Sequence, residues 1–390
     1  MTNDSNDFKS ICAVEGVNAW GMKEGKFGLA LIQASGTGAA VFTKNKVRAP
    51  VVNLMAERTR RGKLSGVIVN SGCANAYTGE RGLADAEKMA KIGAEALKID
   101  EMECGVASTG VIGRYLDLFL IKKQSIEVSR KLAHSPEAEI AAASAIMTTD
   151  TKQKHALVQK EDFTVAGICK GSGMIAPNMG TMLSFVYTDA EIPAKQLQAC
   201  LKSAVKRSLN RVVVDGDEST NDSLFCTATG EAGHVPVKEF SEALESVCIQ
   251  LAKQIAADGE GATKMLEVRV TGCKRERDAE KIAKTVITSP LVKSAVYGED
   301  PNWGRVVCAA GYSGVEFTVE ELSLSIGEGK GEEMLVKNGV IVADLVRAKA
   351  AMTGDHVVFT LMLESGDKQA TAWGCDLTEK YVEINGKYTT

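Results

Sequence analysis

Lys170-Gly171-Ser172-Gly173-Met174-Ile175-Ala176-Pro177-Asn178-Met179-Gly180-Thr181-Met182-Leu183 is a glycine-rich run that passes into the apolar stretch Met182-Leu183-Ser184-Phe185-Val186-Tyr187. That apolar stretch reads as a buried strand. Gly180 can take backbone angles closed to a residue with a Cβ, and Thr181 then puts a hydroxyl at the mouth of the strand. A strained Gly–Thr bond beside a hydroxyl has the chemistry for an N→O acyl shift. Hydrolysis of the resulting ester would leave Thr181 as a new N-terminus. Its α-amino group, with a pKa of about 7.7–8, could take the proton of its own hydroxyl and make it a nucleophile. The alternative is a plain loop leading into a strand, and these residues by themselves favour that loop.

Outward from this run, the chain alternates strand-like and helix-like segments. Before it, 27–32 and 39–43 read as strands flanking the turn Ser35-Gly36-Thr37-Gly38, and 66–69 as a third. A helix over about 82–98 places Leu83, Ala86, Met89, Ala90, Gly93 and Leu97 on one face. Residues 105–113 read as a strand running into a glycine turn. Ser135 and Pro136 open a helix over 136–146 as N-cap and first residue. Strands follow near 154–159 and 163–169. After Thr181 come a strand at 183–188, helices over about 193–209 and 238–257, and a strand in which Leu266, Val268 and Val270 alternate with charged residues. A charged helix is expected over 275–285. Pro301-Asn302-Trp303-Gly304-Arg305 reads as the opening of another strand, and the tail as short strands to Thr390. The expected class is α/β.

With 390 residues, 45% hydrophobic and 25% charged, the chain has room for one large domain or two ordinary ones. A net charge of −4 gives no electrostatic case for nucleic acid or an anionic membrane. No apolar run approaches the roughly 20 residues of a membrane span, and the polar, acidic start Met1-Thr2-Asn3-Asp4 does not read as a signal peptide. The ten cysteines are scattered singly, several inside apolar runs, which fits buried reduced thiols rather than disulfides or zinc. The four histidines lack metal-ligand spacing.

Acyl transfer through a nucleophile needs the nucleophile, a base, donors for the oxyanion and a substrate pocket. Thr181 and its amino group could supply the first two. Thr109-Gly110 offers a hydroxyl and a glycine N–H at a strand end, suited to an oxyanion; the alternative is a plain glycine turn. Lys170 is a lone cation in an apolar setting, suited to a carboxylate. Glu260, in a turn after a helix, is suited to an ammonium. Either charge alone is more often a solvated surface group. Asp215-x-Asp217-x-Ser219 begins like a calcium loop, but Thr220 stands where the turn glycine belongs and Cys226 where the closing glutamate belongs.

Taken together, the longer motifs carry a resemblance. The run at 170–183, the element Ala107-Ser108-Thr109-Gly110-Val111-Ile112-Gly113, Thr148-Thr149-Asp150-Thr151, Asp215-Gly216-Asp217-Glu218-Ser219-Thr220-Asn221-Asp222, Asp258-Gly259-Glu260-Gly261-Ala262-Thr263-Lys264, Asp300-Pro301-Asn302-Trp303-Gly304-Arg305 and Asn385-x-x-Tyr388-Thr389-Thr390 resemble the ornithine acetyltransferase (glutamate N-acetyltransferase) family. They run in order from Asn70-Ser71-Gly72 to the last residue. One departure is Gly180, where the family usually has alanine.

The resemblance implies self-cleavage between Gly180 and Thr181, with Thr181 as nucleophile and Thr109 and Gly110 as oxyanion hole. It implies substrate contacts from Thr148 (Thr149 being the alternative), Lys170, Thr181, Glu260, Asn385 and Thr390, with no metal and no cofactor. The implied reaction moves acetyl from N2-acetylornithine to Thr181 and then to glutamate, in arginine biosynthesis in the cytoplasm. Some family members also use acetyl-CoA, and no residue here decides that point. The implied fold is a stack of β-sheets sandwiched between helices (αββα) with a smaller second α/β lobe, drawn from about 235–345. Residues 1–180 and 181–390 would interlock as α and β chains and pair again into a heterotetramer. Two other readings stay open. An N-terminal-nucleophile amidase or aminopeptidase of the same fold would release acetate whatever the acceptor. A binding protein that never cleaves would remain one chain.

Overall fold

Two mixed β-sheets flanked by helices make up the protein, in a computed structural model that describes residues 8–176 and 182–387. Gly180, Thr181 and Thr390 lie outside the described residues. The strands in chain order are β1 (Asn18–Glu24), β2 (Phe27–Phe42), β3 (Lys63–Cys73), β4 (Cys104–Val111), β5 (Lys154–Gln159), β6 (Thr164–Lys170), β7 (Leu183–Glu191), β8 (Val212–Val213), β9 (Ser223–His234), β10 (Met265–Cys273), β11 (Ser323–Ile326), β12 (Glu333–Lys337), β13 (Val340–Ile341), β14 (His356–Met362) and β15 (Lys368–Cys375). The first sheet runs β4-β3-β2-β9-β7-β6-β5, with β1 also on β2; the second runs β13-β12-β11-β14-β10-β15-β8.

The helices are α1 (Pro50–Arg58), α2 (Gly79–Leu97), α3 (Leu118–Ser129), α4 (Pro136–Ile146), α5 (Ala194–Arg207), α6 (Val237–Ala257), α7 (Glu276–Thr288), α8 (Pro290–Tyr297), α9 (Trp303–Gly311), α10 (Leu345–Ala350) and α11 (Glu379–Lys387).

β2 departs from the sequence expectation. The two strands and turn expected over 27–43 are one strand of 16 residues. Its first arm pairs with β1 and its second with β9, and the register against β3 shifts between Gln33 and Gly36. At Gly36 a Cβ would stand 2.0 Å from the Ala228 carbonyl oxygen. The glycines therefore mark an irregularity where backbones approach closely, not a turn. Side chains from both arms' neighbours share one core, in which Val67 and Val69 of β3 join Phe185 and Tyr187 of β7 and Phe225 of β9.

α2 lies close on this core because Gly93 has no side chain; a Cβ there would stand 2.6 Å from Ile68 Cγ2. Leu83, expected on its buried face, is instead 39% exposed. In α4 the Ser135 hydroxyl accepts the Ala138 N–H at 3.2 Å and Pro136 occupies the first turn, as the sequence predicts. α6 buries Phe240, Leu244, Val247, Leu251 and Ile255 as expected. Each is worth about 1.5–3 kcal/mol when fully buried. Its cluster includes Val165 of the first sheet and Trp373 and Cys375 of the second, so α6 joins the two.

Two other expectations fail. The segment opening at Pro301 is a helix: Asn302 Oδ1 accepts the Arg305 N–H at 3.3 Å and starts α9. The tail ends in the helix α11 rather than in strands. All ten cysteines are free, and Cys308 alone is exposed. No described helix is long and apolar enough to cross a membrane.

Candidate active site

Six residues singled out in the sequence, Thr109, Gly110, Thr148, Lys170, Glu260 and Asn385, line one cavity of about 230 Å³. Thr149, the alternative to Thr148, lines it too. No histidine is among the described residues that line it.

One wall is the end of β4. It runs parallel to β3, with Thr109 opposite Ser71 and Gly110 opposite Gly72. Gly110 has φ +131°, and a Cβ there would sit 2.3 Å from the Gly72 carbonyl carbon. No side chain fits, and the backbone turns in a way that L residues rarely allow. The floor is Lys170, at the end of β6 and only 6% exposed. Its Nζ donates to Thr109 Oγ1 at 3.3 Å. Burial pushes the Lys170 amine below its ordinary pKa, against the pull of Asp150, Asp222 and Glu260.

Glu260 and Asn385 form the opposite, more open side. Asn385 Nδ2 donates to Glu260 Oε2 at 2.8 Å. A Cβ on Gly173 would stand 2.3 Å from the Glu260 carboxylate, so that glycine makes room for it. The glycine-rich run is held from several sides. Gly171 N–H donates to Asp150 Oδ1 at 2.6 Å, and Ser172 Oγ to the Asp258 carbonyl at 2.7 Å. Met174 and Ile175 N–H donate to the two Asp215 oxygens at 2.6 and 2.9 Å. Asp215 thus braces the loop through its backbone. Asp150 also accepts from Thr148 N–H at 3.1 Å, which positions the Thr148-Thr149 turn.

Behind the floor, Lys154 bridges Asp150 and Asp258 at 2.7 and 2.6 Å with all three side chains buried. Burial alone would raise the Asp150 carboxyl, but Lys170 and Lys154 outweigh it and bring it down to about 2. Sequence reading missed this trio. Lys154 and Asp258 stand 104 residues apart, and a buried lysine inside a strand leaves no periodic trace.

Asn221, in the run that fails as a calcium loop, lines the cavity, and Asp222 follows it. Asn221 Nδ2 donates to the carbonyls of Ala74 at 2.6 Å and Ser108 at 2.9 Å, fixing the strand end that carries Thr109. Asp222 is 3% exposed, and its Oδ2 has no hydrogen-bond partner among the described residues. Burial raises its carboxyl well above the ordinary range, against the pull of the Met182 N–H, Lys170 and Ser219. Leu183 pairs with Lys170 on one side and Ser223 on the other, so β7 begins beside the cavity.

Fold and cavity define an α/β protein with a small charged pocket where an open glycine wall meets a buried lysine. The chain belongs to the ArgJ family, whose model matches residues 14–390. It is 53% identical over 388 residues to the glutamate N-acetyltransferase of Methanosarcina mazei, covering 97% of this chain and 98% of that protein. It is 46% identical over 381 residues to the arginine biosynthesis bifunctional protein ArgJ of Archaeoglobus fulgidus, covering 97% and 100%. A crystal structure of the arginine biosynthesis bifunctional protein ArgJ from Bacillus halodurans superposes with a TM-score of 0.51 at 42% identity, over 53% of this chain and 100% of that one.

Proposed function

We propose that this protein is an acetyltransferase that carries acetyl from N2-acetylornithine to glutamate through an ester on Thr181. One observation carries the reading: residues from five distant segments, each suited by its own chemistry to acyl transfer, line a single cavity. Thr181 itself lies outside the described residues. Leu183, two residues on, pairs with Lys170, and two residues span at most about 7 Å.

In this reading the Gly180–Thr181 bond is cut by an N→O acyl shift and hydrolysis, leaving Thr181 with a free α-amino group. That amine takes the hydroxyl proton as Oγ attacks the acetyl carbonyl of the donor. Thr109 Oγ and the Gly110 N–H hold the oxyanion, and Lys170 adds positive character beneath it. Ornithine leaves, glutamate enters, and the same steps run in reverse to give N-acetylglutamate. Glu260 suits the terminal ammonium of ornithine, with Asn385 holding its carboxylate in place; Thr148 and Thr390 complete the substrate contacts. The ester stores the acetyl group, so the cycle closes without another carrier. Residues 1–180 and 181–390 are the α and β chains, two of each forming a heterotetramer in the cytoplasm.

The test is intact mass under denaturing conditions followed by product analysis. The expected result is two masses that split before Thr181 and sum to the full chain plus one water, with N-acetylglutamate formed only when glutamate is supplied. Acetate release at the same rate without glutamate would make the protein a hydrolase. A single uncut mass after long incubation would remove the threonine mechanism.

A further inference from the structure

Self-cleavage poses a problem that the mature enzyme does not. After cutting, the α-amino group of Thr181 can accept the hydroxyl proton. Before cutting, that nitrogen is an amide and is no base. The bond-breaking step needs some other group to take the hydroxyl proton, and an acid to protonate the departing nitrogen.

The described surroundings of Met182, the residue immediately after Thr181, include a carboxyl group, which by its chemistry can do both tasks. The Met182 N–H donates to the Asp222 carboxylate, and the Met182 carbonyl accepts the Ser223 N–H at 3.1 Å. Asp222 and Ser223 thus hold both polar backbone groups of Met182. A purely bracing role would use the bonds that the Asp222 side chain receives from Met182 and Ser219. It would leave unexplained why Oδ2, at a side chain only 3% exposed, has no partner among the described residues. A buried carboxylate oxygen without a donor is costly and calls for a reason.

Resting on the reading of Thr181 as the self-generated nucleophile, we propose that Asp222 is the acid–base residue of the cleavage step. Its Oδ2 takes the Thr181 hydroxyl proton as Oγ attacks the Gly180 carbonyl carbon. When the tetrahedral intermediate collapses, the C–N bond breaks and Asp222 returns that proton to the nitrogen, giving an amine and an ester. Water then splits the ester into the Gly180 carboxylate and the Thr181 hydroxyl. Burial favours the protonated carboxyl, while Lys170 across the cavity floor favours the ionised form and Glu218 on the same loop opposes it. A carboxyl held between these opposing influences can both accept a proton and return it.

Asp222→Asn keeps the shape and the acceptor for the Met182 N–H but cannot shuttle the proton. Asp222→Glu keeps the acid. Cleavage would be followed by intact mass during cell-free synthesis, with circular dichroism and thermal melting to verify folding. The expected result is a folded Asn variant at least 100-fold slower to cut than the wild type, with partial recovery in the Glu variant. A folded Asn variant that cuts at the wild-type rate overturns the proposal while leaving the threonine nucleophile intact. A wild type that never cuts overturns the nucleophile reading itself. Should the Asn variant not fold, the wild-type cutting rate against pH decides. A rate that rises with pH to a plateau above the ordinary carboxyl range supports Asp222, and a rate flat from about pH 4 to pH 9, through the carboxyl and amine ranges, refutes it.

Discussion

Gly110 is the residue whose identity is most tightly dictated by its surroundings. Its φ of +131° and the 2.3 Å approach of the Gly72 carbon to any Cβ leave no room for a methyl group. Gly110→Ala is expected to displace the end of β4, at a cost of about 1–3 kcal/mol for the strained backbone alone, and to lose activity with it. Thr109→Ala is the cleaner probe. It removes one hydroxyl and the 3.3 Å bond from Lys170 without disturbing φ. Its kcat for acetyl transfer is expected to fall by about 10²–10³, with KM for acetylornithine changing far less. An equal fall in kcat for a Thr109→Ser variant would argue against an oxyanion role. Both residues were legible in the sequence, though for unequal reasons. A Thr-Gly pair alone reads first as a turn, and only the longer motif around it points to chemistry.

At the scale of elements, the Asp150–Lys154–Asp258 bridge ties the turn after α4, strand β5 and the end of α6. Asp258→Asn leaves Lys154 short of one carboxylate in a buried setting, and breaking such a pair costs about 3–5 kcal/mol; urea unfolding would measure it. Acid acts on the same trio. The Asp150 carboxyl is lowered from its ordinary 3.8 to about 2, so below the ordinary value the unfolded chain binds the proton more readily than the folded one. Stability from this group is full above about pH 4, declines between about 4 and 2, and is gone below 2. An unfolding midpoint that does not move over that window in chemical denaturation would contradict the assignment. These elements also show what local pattern could reveal. α6 announced itself through apolar residues at helical spacing, and α4 through its cap and proline. β2 did not, because Ser35-Gly36-Thr37-Gly38 has the composition of a turn, and pairing with β3 and β9 overrode it. α9 was hidden because Pro301 suggested an extended segment while Asn302 was in fact a helix cap. The bridge itself joins residues too far apart for any periodicity to register.

For the whole molecule, the cavity is a joint product of both halves of the chain: Thr109, Thr148 and Lys170 precede position 181, and Glu260 and Asn385 follow it. α11 is the last contribution. A Cβ on Gly261 would stand 2.6 Å from the Tyr381 nitrogen, so this helix sits directly on the turn that carries Glu260. Ending the chain after Thr378 is expected to leave the circular dichroism near wild type while KM for acetylornithine rises at least tenfold, about 1.4 kcal/mol of binding. An unchanged KM would show that Asn385 and α11 do not serve the substrate. The order of the first sheet has a consequence of another kind. β7 and β9 lie wedged between β2 and β6, strands from the earlier part of the chain. A cut before β7 therefore leaves two polypeptides that can part only by tearing the sheet along two seams. If isotopically heavy and light preparations were mixed, each molecule should keep its original halves indefinitely, so the age of one half would always be the age of the other.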